Sequence, residues 1–274
     1  MQDIRKIKHY DLIQKMCLMD DELMGVCFAG HKECTELLIR IILGRDDLTV
    51  KSSQVQKTLK GLGRSVRLDI FAVDTKGKRY NIEFQRADKG ASPERARFNA
   101  AMIDVTCLKP GQDFKELPEV YIIFITERDV LGYGLPLYNV EWVIGENGKP
   151  FNSRQHIVYV NCENQASDTP LGKLVHDFLC RESGDKYYYE VLGERISYIK
   201  EDQEGVKEVS SIVEAYAKSY AESYAEERAK EQQKTIVERM IEGGKLALQE
   251  IAEYSGLSLS AVKQLAKKLE ESRA

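Results

Sequence analysis

The chain has 274 residues, of which 43% are hydrophobic and 31% are charged, and its formal net charge is −4. This apolar fraction is enough to bury a core, so the composition excludes a disordered chain, and the length fits one large domain or two smaller ones. The negative net charge argues against indiscriminate nucleic-acid binding, because phosphate neutralisation requires an excess of Lys and Arg.

The sequence also argues against a membrane protein, a secreted protein and a fold held together by zinc. No segment reaches the ~18 consecutive apolar residues of a membrane-spanning helix. Residues 1–16 lack the apolar run of a secretory signal, so we expect a cytoplasmic protein. The six cysteines form no C-x-x-C pair, and the four histidines show no zinc-ligand spacing. The thiols are therefore expected to be reduced core residues.

The first two thirds of the chain are typical of a mixed α/β fold. Residues 31–43 carry apolar side chains at helical spacing and are followed by Gly44, which predicts a helix with a glycine stop. The run 120–126 is continuously apolar, as in a strand buried on both faces. By the same criteria we predict strands over 66–73, 80–84 and 157–160 and helices over 93–108 and 172–180.

The segment 64–86 (RSVRLDIFAVDTKGKRYNIEFQR) predicts a β-hairpin whose loop is residues 75–77. In that register one face of both strands is apolar, whereas Asp69 lies directly opposite Glu83 on the other face. Arg67 then lies opposite Gln85. A slip by one residue would mix the two faces, so the hydrophobic pattern specifies the register.

Two carboxylates side by side repel each other and need either a shared proton or a cation. Oxygen ligands on adjacent strands suit Mg²⁺ or Mn²⁺. Residues 51–100 carry twelve Lys and Arg against five acids, a local net charge of +7 that would hold a phosphate backbone. The alternative is that both acids face solvent and are balanced by neighbouring arginines, and spacing alone leaves both interpretations open.

The pattern Asp69-x13-Glu83-x-Gln85 resembles the motif of the PD-(D/E)xK nucleases. The similarity is closest to the branch of PD-(D/E)xK family transposases, or recombination-promoting nucleases. It includes the segments SVRLDIFAVD, YNIEFQ, RARFNAAMID and LPEVYIIFITERDVLGYGLPLY, and spans roughly residues 20–145. The resemblance implies an α/β fold with a restriction-endonuclease-like core, in which helices flank a mixed central sheet.

The resemblance also implies roles for individual residues. Asp69 and Glu83 would bind the metal, Mg²⁺ or Mn²⁺, and Gln85 would orient the attacking water from the position of the usual lysine. Glu36 is the candidate for a further acid on the first core helix, with Glu33 or Glu22 as alternatives. Three arginines are candidates for DNA contacts, with one of the last two expected to bind phosphate: Arg67, Arg95 and Arg97.

These roles predict a metal-dependent DNA endonuclease that hydrolyses phosphodiester bonds, with a role in recombination or in a mobile element. The alternative is a catalytically inactive DNA-binding or oligomeric regulatory protein that retains the nuclease fold, because the neutral amide of Gln85 lacks the lysine charge. An RNA substrate also stays open, since nothing in the strand pattern distinguishes the two nucleic acids.

Beyond residue 200 the sequence becomes helical. Tyr216, Tyr220 and Tyr224 form a stripe that predicts packing against the body of the protein or against a second copy; in the second case the 207–240 helix would form a homodimer. Residues 245–269 predict a helix-turn-helix whose second helix carries Lys263 and Lys267 as DNA contacts; the alternative is a packing hairpin. We expect three regions: a nuclease-like domain over 1–200, a helical extension over 201–243 and this hairpin over 244–274.

Overall fold

The computed structural model describes residues 4–60, 63–86, 90–163, 168–181, 186–244 and 246–271. Within these ranges, the side chains of residues 216, 219–232 and 267–271 lie outside the description, and with them the predicted tyrosine stripe. The chain divides into two compact units, residues 1–212 and 213–274. The boundary falls inside one long helix, and the predicted homodimer and three-region division stay predictions.

The first unit contains a mixed sheet with helices before, between and after its strands. Its strands are β1 (Val50–Leu59), β2 (Val66–Asp74), β3 (Arg79–Gln85), β4 (Val120–Thr126), β5 (Leu137–Val140) and β6 (Gln155–Asn161). Its helices are α1 (Tyr10–Gln14), α2 (Asp21–Phe28), α3 (Lys32–Leu43), α4 (Pro93–Cys107), α5 (Pro170–Leu179), α6 (Glu190–Glu201) and the start of α7 (Gln203–Gly243).

The strand order in the sheet is β1-β2-β3-β4-β6-β5. The β1–β2, β2–β3 and β5–β6 pairs are antiparallel, whereas β4 runs parallel to both β3 and β6. The central strand β4 is buried along its length apart from Tyr121, as its continuous apolar sequence predicts. The predicted mixed α/β sheet with flanking helices is therefore confirmed.

The two faces of the sheet are covered by different helices. On one face, Ala96, Ala100 and Ile103 of α4 belong to a core that also contains Phe71 and Phe124. On the other face, β3 contributes Phe84, whose ring contacts those of Phe28 in α2 and Phe178 in α5 at centroid distances of 5.9 and 5.5 Å. Residues that alternate along β3 therefore point into two separate packed layers.

The β2–β3 hairpin has the register that its sequence predicts. Ile70 pairs with Ile82 and Ala72 pairs with Tyr80. Gly77 in the loop has a φ of +82°, a conformation that favours glycine because other L-residues are strained there. The buried side chain of Asp74 closes the turn, since one carboxylate oxygen accepts hydrogen bonds from the Lys76 and Lys78 amides and the other from the Tyr80 hydroxyl.

The second unit contains the rest of α7 with α8 (Leu248–Ser255) and α9 (Leu259–Glu271). A small core is formed by Val237, Ile251 and Val262, one residue from each helix. The chain turns between α8 and α9 at Gly256, whose φ is +70°. None of the described helices combines the length and the apolar character needed to cross a bilayer.

The turn at Asp74 generates a stability prediction. Asp74→Ala should lower the free energy of unfolding by about 2–4 kcal/mol, because two backbone amides of the turn and the buried Tyr80 hydroxyl lose their acceptor. Asp74→Asn should cost less, since its amide oxygen still accepts from both backbone groups. Urea unfolding measures both, and Lys76→Ala is the control: it removes only an exposed ion pair with Asp47 and should change stability by less than about 1 kcal/mol.

Candidate active site

Two acidic side chains of the hairpin lie together on the sheet face that α4 covers. A carboxylate oxygen of Asp69 in β2 accepts a hydrogen bond of 3.0 Å from the backbone amide of Phe84 in β3. The neighbouring residue of β3, Glu83, is fully buried, with 0% of its surface exposed. The hairpin register thus holds one carboxyl group beside the other.

Glu83 is surrounded by donors from two elements. A guanidinium nitrogen of Arg95, in the first turn of α4, lies 2.6 Å from one carboxylate oxygen. The other oxygen accepts from the side-chain amide of Asn81 at 2.8 Å and lies 3.5 Å from that of Asn99, one helical turn beyond Arg95. The Asn99 amide also donates to the Asn81 carbonyl at 3.0 Å, which fixes the orientation of both asparagines.

The electrostatics of the pair favour one shared proton near neutral pH. Burial, together with the negative charge of Glu83, raises the pKa of Asp69 to about 7. Burial also raises the pKa of Glu83, but Asn81 and Arg95 oppose this by stabilising its charged form. Because Glu83 has these donors, we assign the proton of the pair to Asp69. A divalent cation beside both oxygens would satisfy the same electrostatic demand.

A third acid approaches the pair from the start of α2. The negative charge of Asp21 contributes to the raised pKa of Asp69, and the pKa of Asp21 is itself raised by burial while Arg67 and Arg95 lower it. Its neighbour Asp20 is occupied by an ion pair with Arg86 and by the amide of Cys17. Asp21 is thus the helical acid that lies near the hairpin carboxylates.

Glu36, which the sequence predicted as the helical acid of the site, does not lie beside Asp69 and Glu83. Its carboxylate accepts a 2.8 Å hydrogen bond from the amide of Val50 and lies 2.8 Å from Arg40, one turn along α3. Val50 pairs with Asp74 at the far end of β2, about 16 Å from Asp69 at the usual strand rise. The alternative Glu33 contacts His31 at the protein surface, whereas Glu22 directly follows Asp21 in α2.

Gln85 lies on the same strand face as Glu83, two residues further along β3. Its side chain passes very close to Gly90: a Cβ atom added at Gly90 would lie only 1.6 Å from Oε1 of Gln85. Position 90 therefore tolerates no side chain unless the Gln85 amide moves. The glycine defines where that amide can sit relative to the carboxyl pair.

A basic cleft with a volume of about 850 Å³ adjoins these residues. Four arginines line it, and Glu94 is the acid among its lining residues; the arginines are Arg64, Arg67, Arg95 and Arg97. The guanidinium of Arg95 is occupied by Glu83 and by the carbonyl of Gly90, 3.1 Å away. Arg64, Arg67 and Arg97 are exposed. Sequence patterns did not single out Arg64.

One further group of ligand-type atoms is found among the described residues. His176, Asp177 and Cys180 bring their side-chain donor atoms within 4.8 Å of one another, a spacing that the sequence analysis overlooked. Both carboxylate oxygens of the buried Asp177, however, accept backbone N–H bonds of 2.9 Å, one from Tyr188 and one from Tyr189. These bonds tie α5 to the residues that precede α6, so the carboxylate is already used in the fold.

The comparisons with known proteins point to one family. Residues 45–170 match the model of the family described as PD-(D/E)XK nuclease family transposase. The matched range contains all six strands of the sheet and α4, and thus the carboxyl pair, Gln85 and the cleft arginines. Neither the search of curated proteins nor the search of solved structures found a match. The family expected from the hairpin motif is confirmed over this range.

The raised pKa of Asp69 predicts an unusual dependence of stability on pH. In metal-free protein the folded state holds the proton up to pH 7, whereas the unfolded chain releases it near pH 4, so stability falls as pH rises between these values. Asp69→Asn imitates the protonated form and should be more stable than the wild type at pH 8, by at least about 1 kcal/mol.

The advantage of Asp69→Asn should shrink at pH 5. Urea unfolding in EDTA at both pH values measures it. An equal effect at pH 5 and pH 8, or a loss of stability at pH 8, would contradict the assignment of the proton to Asp69.

Proposed function

We propose that this chain, whose residues 45–170 form a PD-(D/E)XK nuclease family transposase domain, is a metal-dependent DNA endonuclease. The observation that carries the proposal is the pair of adjacent carboxyl groups, the fully buried Glu83 and the half-buried Asp69, beside an arginine-lined cleft. A buried pair of like charges is costly unless a function retains it.

The residues present suit a hard divalent cation. Asp69 and Glu83 offer carboxylate oxygens on adjacent strands, and Asp21 adds a third acid from α2. Oxygen-only donors are those that Mg²⁺ and Mn²⁺ prefer. When bound, such an ion polarises the phosphodiester and lowers the pKa of a coordinated water.

The remaining residues of the site bind the phosphate backbone and orient the Glu83 carboxylate and the attacking water. Arg95 and Asn81 keep Glu83 charged and fixed in position. The amide of Gln85, placed by Gly90, orients the attacking water through hydrogen bonds but provides no positive charge. Arg64, Arg67 and Arg97 hold the phosphate backbone in the cleft, where charge selects for nucleic acid without reading its sequence.

The family match supports a biological setting in recombination or in a mobile element. Neither end recognition nor strand transfer is needed for the chemistry proposed here, since hydrolysis requires only the bound metal, its acidic ligands, the water-orienting amide and a bound phosphodiester. We therefore propose hydrolytic nicking or cleavage as the basic activity.

A second candidate is a catalytically inactive DNA-binding or regulatory protein that keeps the nuclease fold. The observation that favours it is Gln85, because a neutral side chain stands where the positively charged lysine of the motif would be. In this case DNA binding should survive loss of either carboxylate and even improve, since negative charge next to phosphate is removed.

Cleavage of supercoiled plasmid in Mg²⁺ or Mn²⁺ tests the proposal. Asp69→Asn and Glu83→Gln should each lower the nicking rate by about 100-fold or more, and Asp21→Asn should raise the metal concentration needed. Glu36→Gln is the matched control and should cleave within about threefold of the wild type, because its carboxylate lies outside the site.

The outcomes separate the two candidates. Nicking that persists at the wild-type rate in both hairpin variants would overturn the assignment of the metal ligands. If the wild type never cleaves DNA or RNA in either metal but binds DNA in a salt-sensitive manner, the inactive binding protein is the correct interpretation.

The contact between Gly90 and Gln85 gives an independent prediction. Gly90→Ala should displace the Gln85 amide and slow nicking by roughly the factor seen for Gln85→Ala, about 10- to 100-fold. The double variant should be no slower than either single variant, because both changes remove the same interaction. Thermal melting should change little, since the displaced group is the end of a flexible side chain. Additive losses in the double variant would contradict this linkage.

A further inference from the structure

The second helix of the C-terminal hairpin has one packed side and one polar, exposed side. Val262 is buried against Ile251 and Val237, and Leu265 packs on the same core. On the opposite side, Ser260, Lys263 and Gln264 are exposed. Residues three and four apart lie on one helical face, so these three side chains form a single surface at the beginning of α9.

The connection between α8 and α9 has the length and the glycine turn of a helix-turn-helix. Only Gly256, Leu257 and Ser258 separate the two helices. Gly256 adopts the left-handed conformation that ends α8, and the Ser258 hydroxyl accepts a hydrogen bond from the Ala261 amide at 3.2 Å, which caps α9. In such units the N-terminal residues of the second helix contact base edges in the major groove.

Charge favours nucleic acid as the occupant of this surface. Residues 254–269, which include the turn and most of α9, contain three lysines and no acid, whereas α8 carries Glu250 and Glu253 and α9 ends with Glu270 and Glu271. Of the three lysines, Lys263 belongs to the exposed surface, and the side chains of Lys267 and Lys268 lie outside the described residues. A face that self-associates would instead be expected to expose apolar side chains, and Ser260, Lys263 and Gln264 are all polar.

We infer that α9 reads base sequence in the major groove of duplex DNA, with Gln264 contacting a base edge and Lys263 a phosphate. Glutamine can bind adenine through two hydrogen bonds, whereas a lysine on phosphate adds affinity without sequence information. The inference rests on the proposed function only in that both units act on DNA. The cleft arginines hold the strand to be cut, and α9 selects the sequence.

The experiment is selection of bound duplexes from a randomised DNA library by the full chain in EDTA, where no cleavage interferes. The wild type should enrich a motif that contains adenine at one position. Gln264→Ala should lose the preference at that position, a loss of about 5- to 150-fold in discrimination, while keeping the rest of the motif. Gln249→Ala, an exposed glutamine of α8, is the matched control and should enrich the wild-type motif.

Lys263→Ala distinguishes phosphate contact from base contact. It should weaken binding to all duplexes alike and lower the slope of log affinity against log salt by about 1. Both substituted side chains are exposed, so the variants should fold, and circular dichroism with size-exclusion chromatography verifies this.

Several outcomes would overturn the inference. They are enrichment of no motif by the wild type, an unchanged motif in Gln264→Ala, preference for a single-stranded or RNA library, or a change of oligomeric state with DNA binding intact. The nuclease proposal is tested separately. An Asp69→Asn chain should select the same motif in EDTA. A wild type that selects the motif but never cleaves would overturn only the nuclease proposal.

Discussion

The structure depends on the closeness of two carboxyl groups on neighbouring strands. Moving one charged carboxylate out of water is costly, and placing a second beside it adds repulsion. Glu83 is tolerated because Arg95 and Asn81 donate to it, and Asp69 because it can hold a proton or face a cation. Each of these compensations comes from a particular register or a particular helix position, so the site constrains the surrounding fold.

The β2–β3 turn supplies the first of these constraints. The side chain of Asp74 accepts three hydrogen bonds across the turn, and Gly77 provides the backbone conformation that the loop needs. A slip by one residue would mix the acids of one face with the apolar side chains of the other. The turn is far from the carboxyl pair along the strand, yet it fixes which two residues meet there.

Helix α4 supplies the second constraint, because it both packs against the sheet and contributes side chains to the site. Its apolar side chains fill one face of the sheet, and its first two turns deliver Arg95 and Asn99 to Glu83. The same turns place Arg97 in the cleft. Under the proposed function, a substrate phosphate in that cleft would lie close to Arg95, the residue that pairs with Glu83.

How much of this could be predicted depended on the kind of signal in the sequence. The hairpin register and β4 were predictable, because alternation and a continuous apolar run each have a single good solution. Strand β1 was missed: its sequence, VKSSQVQKTL, is largely polar, as suits an edge strand whose central side chains are mostly solvent-exposed or half-buried. One of Arg95 and Arg97 was expected to bind phosphate, and the ion pair of Arg95 with buried Glu83 has no local sequence signature.

The acid that a helix contributes to the site shows why contacts between residues distant in the sequence cannot be predicted from a local sequence pattern. Glu36 is an acid on a core helix, as the family resemblance implies, but its carboxylate contacts Arg40 and the Val50 amide. Asp21 begins α2, and only the packing of that helix near β2 brings its charge to Asp69. Helix position can be estimated from periodicity, whereas the strand that a helix end meets is a property of the whole fold.

The distribution of charge along the chain bears on both proposed DNA-binding surfaces, the arginine cleft and α9. A chain of net charge −4 binds DNA weakly at random, since counterion release scales with the number of phosphates neutralised. Residues 51–100, which contain the cleft arginines, carry twelve Lys and Arg against five acids, and residues 254–269 carry three lysines and no acid. Under the proposed functions, weak general attraction would leave the choice of target to base contacts at Gln264, and would leave cutting to the moment when metal and phosphate both reach Asp69 and Glu83. A more basic chain would hold DNA anywhere and lose that selection.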